Sequence, residues 1–305
     1  MSTTPAPRSL LTRLVDDAAL FPPASTPVPQ AWSGHLALRA GKYGDLLGPL
    51  LIGTSAAATL AVSAQDAPPV GDLETGTGHG PEPIDVGVIA RAGTDIVDLI
   101  AAVEVLRACP HTRVVSVEAA FDAEGQWRRA LDLAVPVAVE VVRDAQAQSE
   151  ALDEVAAAAD QGNTVLAKLR TQSTATAPVP SARELAQFLL AVRERNLPFK
   201  LTGGLHHAVA RTVQLPEGGT EDQHGVLNLL LATHHLQGGA GLPKLQADLE
   251  TRDAAALAAV ALNLPEEAIS HLRARFVSFG CCGVTEPLEE MTELGLITRP
   301  PREGA

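Results

Sequence analysis

The chain has 305 residues, 46% of them apolar, which suffices for a large core although aromatic residues make up only 3%. A net charge of −13 and a pI near 5.1 argue against nucleic acid or an anionic membrane as partner. Three cysteines, Cys109 and the adjacent Cys281 and Cys282, suit no disulfide framework. No apolar segment reaches transmembrane length, and MSTTPAPRSLLTRL lacks a signal peptide's apolar stretch and cleavage site, so a soluble, cytoplasmic protein is expected.

In chain order, SLLTRLVDD reads as an amphipathic helix and Ala18–Phe21 as a first strand, stopped by Pro22 and Pro23. Gln30–Tyr43 reads as a helix, LLGPLLIGTS as the second strand, and an alanine-rich helix follows. DLETGTGHGPEP is a Gly/Pro loop, IDVGVIAR the third strand and TDIVDLIAAVEVLRAC its helix. RVVSVEAAF is the fourth strand, with a returning helix around Trp127–Leu133. VPVAVEVV is the fifth, before the helix Ala145–Asp160. TVLAKLR is the sixth, and Ser181 with Glu184 forms a capping box that opens the next helix. FKLTGG is the seventh. A long region, His206–His271, holds helices around HGVLNLLLATHHL, TRDAAALAAVAL and PEEAISHL. RARFVSFG is the eighth strand and EPLEEMTELGLI a closing helix.

Strands alternating with helices imply parallel βαβ units, and eight of them a (β/α)8 TIM barrel. The expectation is one α/β domain over residues 1–305, with 206–271 as a helical insertion or lid between the seventh and eighth strands. An open doubly wound sheet of seven strands is the alternative, but no G-x-G-x-x-G follows the early strands and no G-x-x-x-x-G-K-[ST] occurs.

Four lysines stand against nineteen arginines, and two of the four, Lys168 and Lys200, lie inside short apolar strands. Burying an ammonium is costly unless it is paired or loses its proton, and an unprotonated lysine is a nucleophile for carbonyls. Side chains two apart on a strand share a face. Lys168 is therefore in phase with Arg170, Lys200 with Thr202 and Gly204, and Ser116 with Glu118, while the fifth strand offers Glu140. Inward groups near the C-terminal strand ends form the active site of a barrel. The rival reading is a set of ion pairs that only plugs the core.

Gly203 and Gly204 end the seventh strand and SFGCCG the eighth, where barrels commonly hold an anion such as phosphate on backbone amides. His206 follows the seventh strand and, with Glu118 and Glu140, makes a chemically sensible zinc or manganese set, though the spacing is not diagnostic. Cys281 and Cys282 read as small packed residues, with a nucleophile or ligand pair as the alternative. Asp16 and Asp17 either enter the mouth of the barrel or form a solvated helix end.

The stretch Thr164–His207 resembles the deoxyribose-phosphate aldolase family of class I aldolases. That family carries its Schiff-base lysine on the sixth strand in K-T-S-T-G and a second lysine on the seventh in K-x-x-G-G. Here AKLRTQ and FKLTGG occupy those strands, and FGCCG stands at the family's G-x-S-S phosphate motif. The resemblance implies that Lys168 forms the imine, that Lys200 favours its unprotonated amine, and that Gly203, Gly204, Gly280 and Cys281 help hold an anionic group. The clear match spans about 45 residues, with Leu-Arg-Thr after Lys168 and no counterpart for the family's fourth-strand aspartate.

Three readings follow. The leading one is a lyase acting on a small anionic carbonyl compound, with Lys168, Lys200, Glu118 and Glu140 catalytic, Arg170, Thr202, Gly203, Gly204, His206, Gly280 and Cys281 binding substrate, and no cofactor. The second is an isomerase or hydrolase with a divalent metal on Glu118, Glu140 and His206. The third is a non-catalytic binding barrel. Barrels often dimerise, and nothing in the sequence decides whether this one does.

Overall fold

The computed structural model describes residues 6–66, 82–174, 177–215 and 218–298. The DLETGTGHGPEP loop lies almost wholly outside them. Eight parallel strands close a barrel: β1 (Val15–Asp17), β2 (Leu47–Gly53), β3 (Ile84–Ala90), β4 (Thr112–Ala120), β5 (Val137–Glu140), β6 (Val165–Arg170), β7 (Phe199–Thr202) and β10 (Phe276–Cys281), with β10 pairing to both β7 and β1. Sequence order runs once around the ring. All seven residues of β3 and six of seven in β2 are buried, as expected where helices cover one face of a parallel strand and the barrel interior the other.

Helices α1 (Val28–Ala40), α2 (Ala57–Asp66), α3 (Ile96–Arg107), α4 (Ala145–Asp160) and α5 (Ala182–Glu194) link the strands. Asp95 and Asp144 accept backbone N–H bonds at the starts of α3 and α4, and Ser181 and Glu184 form the expected capping box. Between β4 and β5 the expected helix is a 3-10 helix, Gln126–Leu133. Among the described residues no helix is long and apolar enough to cross a membrane.

The N-terminus departs from expectation. SLLTRLVDD is not a helix: a single 3-10 turn, Arg8–Leu10, leads to Arg13 at φ 50, and the chain then extends as β1. Ala18–Phe21, expected as the strand, instead forms the turn after it, closed by Phe21 N–H to Ala18 O. The ring supplies the reason. Val15–Asp17 pairs with β10 on one side and β2 on the other, and this pairing outweighs the helical pattern of the apolar residues.

The region after β7 also differs. It begins with an antiparallel hairpin, β8 (Arg211–Gln214) and β9 (Thr220–Gln223), and continues as α6 (Val226–Gln237), α7 (Leu242–Glu250), α8 (Ala254–Leu262) and α9 (Glu266–Arg275). Helix α6 packs against α5, α7, α8 and α9. Its buried Asn228 accepts from Ala210 N–H and donates to the Asp248 and Thr251 carbonyls, so the amide is satisfied inside the helical layer. Helix α10 (Thr285–Glu293) closes the chain.

Candidate active site

Strand register brings the charged side chains together. Glu140 on β5, Lys168 on β6 and Lys200 on β7 are successive partners across the sheet. The two lysines are 1% and 4% exposed, Glu118 on β4 is 1% and Asp16 on β1 is 2%. Their ends form one alternating row. Asp16 Oδ2 lies 2.6 Å from Lys200 Nζ, which lies 2.5 Å from Glu118 Oε1. Glu118 Oε2 lies 2.5 Å from Lys168 Nζ, which lies 2.6 Å from Glu140 Oε2. Glu140 Oε1 then meets Arg170 Nε at 3.0 Å. Three carboxylates and three cations thus cancel, which is what makes such a burial tolerable.

The two lysines are held differently. Lys200 donates aligned hydrogen bonds to Asp16 and Glu118, and Ser278 Oγ donates to the same Asp16 oxygen. Lys168 makes its contacts by proximity alone, and Glu118 Oε2 has no aligned donor. Burial would raise the Glu118 carboxyl, but Lys168 and Lys200 outweigh it and hold the group at about 2. Glu140 is likewise depressed: burial opposes the shift, and Lys168 and Arg170 dominate. Lys200 is held well above the usual lysine range, since Asp16 and Glu118 overcome its burial. Asp16 goes the other way, raised because burial exceeds the pull of Lys200.

A cavity of about 400 Å³ opens at the C-terminal strand ends. Lys168 reaches its wall, with Arg170, Thr202, Gly203, His206 and Gly280. Lys200 does not; it lines a second cavity of about 390 Å³, with Asp16, Ser116, Arg273 and Ser278. The row therefore runs between two cavities, with Lys168 toward the mouth.

Several expected binding residues are placed differently. Cys281 is fully buried, and Cys282 faces the mouth in its stead. Gly204 has φ +71 and packs so closely on the Thr171 carbonyl (2.8 Å from an ideal Cβ) that its role is to let β7 turn against β6. The Gly203 N–H donates to the Gly280 carbonyl at 3.1 Å, so that amide is not free to hold phosphate. His206 is not brought to Glu118 and Glu140: its Nδ1 lies 2.6 Å from Glu286 Oε2 and its ring lies beside both cysteines. Among the described residues no three His, Cys, Asp or Glu side chains stand close enough to hold a metal ion. Among the described residues of the segment 206–271, only His206 reaches the lining of the mouth cavity.

Asp16 and Asp17, left open between the barrel mouth and a solvated helix end, take neither place, and Arg91 was missed. Asp16 is buried in the row and lines the second cavity, because β1 begins three residues before the strand expected. Asp17 beside it is buried against His35 of α1, 2.9 Å away. Arg91 stands just past β3 at the mouth, its guanidinium over the Phe21 ring, and faces Arg170 closely enough that burial and that second cation depress its pKa. Gln172 and Ser173, from the loop after β6, complete that wall. An arginine directly after an apolar strand was the available signal for Arg91.

No family model matches the chain, and no curated protein matches it. Among solved structures it is similar to QR15, described as an aldolase, with 12% identity, a TM-score of 0.48, and coverage of 95% of this chain and 99% of that one. A likeness that slight says nothing of chemistry. The chain is a (β/α)8 barrel on its own strand pairing, with a lysine on its sixth and on its seventh barrel strand.

Proposed function

We propose that the protein is a class I aldolase-like lyase acting on a small anionic carbonyl compound through an imine at Lys168. The observation that carries this reading is the unequal placement of the two lysines. Lys200 is locked between two carboxylates by aligned hydrogen bonds, whereas Lys168 reaches the mouth cavity and touches its carboxylates without alignment. A structural plug would need no such difference.

Glu140 takes one proton from Lys168, Nζ attacks the carbonyl carbon, and a second amine proton goes to the carbonyl oxygen to give the carbinolamine. Glu140 returns its proton to that hydroxyl, water leaves, and the nitrogen lone pair forms the iminium. The proton of the β-hydroxyl then passes to Glu140 as the adjacent carbon–carbon bond breaks, its electron pair enters the C=N system as an enamine, and an aldehyde is released. Glu140 gives that proton to the enamine carbon, and water hydrolyses the iminium to free the second carbonyl product and Lys168. Glu140, part-exposed and in contact with both Lys168 and Arg170, carries the proton, and Glu118 holds Lys200 and Lys168 in place from below. With the Gly203 amide already bonded, Arg170 and Arg91 are the groups that take the substrate's anionic end.

The test is borohydride reduction with a panel of small aldehydes and ketones, some phosphorylated or carboxylated, read by intact mass and peptide mapping. The expected result is one substrate-sized adduct on Lys168, absent from Lys168→Met. An adduct on Lys200 would exchange the two roles. No adduct, together with a stoichiometric metal whose removal stops turnover, would move the assignment to metal-dependent chemistry. No adduct, no metal and intact ligand binding in Lys168→Met would leave a binding barrel.

A further inference from the structure

The mouth cavity contains a second chemical group that the row of charges does not use. Cys282 lines it beside His206, with the sulfur 3.6 Å from His206 Nε2. The opposite ring nitrogen, Nδ1, lies 2.6 Å from Glu286 Oε2. A thiol at one nitrogen of an imidazole and a carboxylate at the other is the arrangement of a nucleophile, its base and the group that orients the base.

Two further features fit that role. Gly283 leaves the space Glu286 needs: a Cβ at that position would fall 2.7 Å from the Glu286 carboxyl carbon. The His206 pKa is raised by its hydrogen bonds to Cys281 and Cys282, against burial and with help from Glu286, so the ring readily keeps a proton it takes. Cys281 is no rival for the role. Its buried thiol is pushed up by burial and lies 3.8 Å from Nδ1, on the side already taken by Glu286.

We propose that Cys282, His206 and Glu286 form a thiol-dependent acyl-transfer site that takes small activated carboxylic esters. The thiol proton passes to His206 Nε2 as the sulfur bonds to the acyl carbon. The carbon–oxygen bond to the alcohol then breaks, and the alcohol leaves with the proton from Nε2. Water attacks the thioester and gives a proton to Nε2; the carboxylic acid leaves, and the sulfur recovers its proton. Lys168 and Arg170 line the same cavity and stabilise the negative charge that gathers on the acyl oxygen.

The test uses the full chain with p-nitrophenyl acetate, following both nitrophenol release and the site of acetylation by peptide mapping. Acetyl is expected on Cys282, formed in a burst and then lost by hydrolysis. Cys282→Ser should abolish it, and His206→Asn should slow it about a hundredfold. Gly283→Ala, which displaces the Glu286 carboxylate without touching the thiol or its base, should also slow it and serves if His206→Asn does not fold. Alkylation of Cys282 by iodoacetamide at pH 6 should be fast in the wild type and strongly slowed in His206→Asn and Gly283→Ala, which a merely structural role would not produce. Acetylation confined to lysines or Cys109 would overturn the assignment, as would Cys282 acetylation and alkylation at unchanged rates in the variants. This site does not depend on the imine reading: borohydride adducts report on Lys168 and acetyl adducts on Cys282, so either can fail alone.

Discussion

At the scale of single residues the molecule turns on Glu118, which faces an ammonium with each of its oxygens. Glu118→Gln would leave two buried lysines facing each other across a neutral amide, and loss of one partner of a buried pair costs about 3–5 kcal/mol. The denaturant midpoint should fall accordingly, while Glu118→Asp should retain part of the stability. The pH dependence has a definite sign. A carboxyl at about 2 in the folded protein and near 4.5 when unfolded adds stability above pH 4.5, lost as pH falls toward 2. That window is worth roughly 3 kcal/mol at 1.36 kcal/mol per pKa unit. Asp16, whose pKa is raised, works in the opposite sense and blunts the slope. Unfolding in guanidinium at steps between pH 6 and pH 3 should show the loss, and a flat profile would contradict it.

Lys168, Lys200, Glu118 and Glu140 were legible because a charged residue inside an apolar strand has nowhere cheap to go. Asp16 was legible only as a choice between the barrel mouth and a solvated helix end, since its strand is three residues long and its neighbours read as helix. Cys282 was not, because adjacent cysteines give no hint of which one faces a cavity. A histidine 76 positions earlier becomes its neighbour only when β7 and β10 pair.

At the scale of elements, local rules held wherever local chemistry was strong. The capping box at Ser181 and Glu184 formed as read, and Ser181→Ala should destabilise the protein by about 1 kcal/mol, measurable in chemical unfolding, with no change in borohydride trapping. The bounds of α4 agree with expectation because Asp144 accepts from Ala147 N–H at its start and apolar residues recur along one face. The β8–β9 hairpin escaped notice although Gly218–Gly219 is a turn signal; its strands, RTVQ and TEDQ, are polar and mostly exposed, so they lack the apolar pattern that reveals a strand. The aromatic residues are few but concentrated. Phe188, Phe199, Phe276 and Phe279 succeed one another at 5.2–6.5 Å between α5, β7 and β10, directly behind the strands that carry Lys200 and Ser278. Phe199→Ala should cost about 3–5 kcal/mol and loosen the register of those strands. Its thermal midpoint should fall several times further than that of Ser181→Ala.

At the scale of the whole molecule, ring closure depends on the shortest strand. β1 offers three residues to β10 and β2, and without them both neighbours become open edges. A chain beginning at residue 18 should therefore lose its cooperative thermal transition by circular dichroism and aggregate, even though it keeps Lys168, Lys200, Glu118 and Glu140. The barrel class was readable from eight alternations; what the alternation could not give was the closing strand, because closure is a property of the ring and not of any segment.

The row of alternating charges has one further consequence. Glu118 and Glu140 share the positive charge of Lys168, so a neutral nitrogen there leaves two buried carboxylates short of a cation, and a positively charged nitrogen restores the balance. Along the proposed path the carbinolamine is neutral, whereas the iminium is cationic. The surroundings thus disfavour the carbinolamine and welcome the iminium. The register that sets Glu140, Lys168 and Lys200 abreast has graded the stations of the reaction before any substrate arrives.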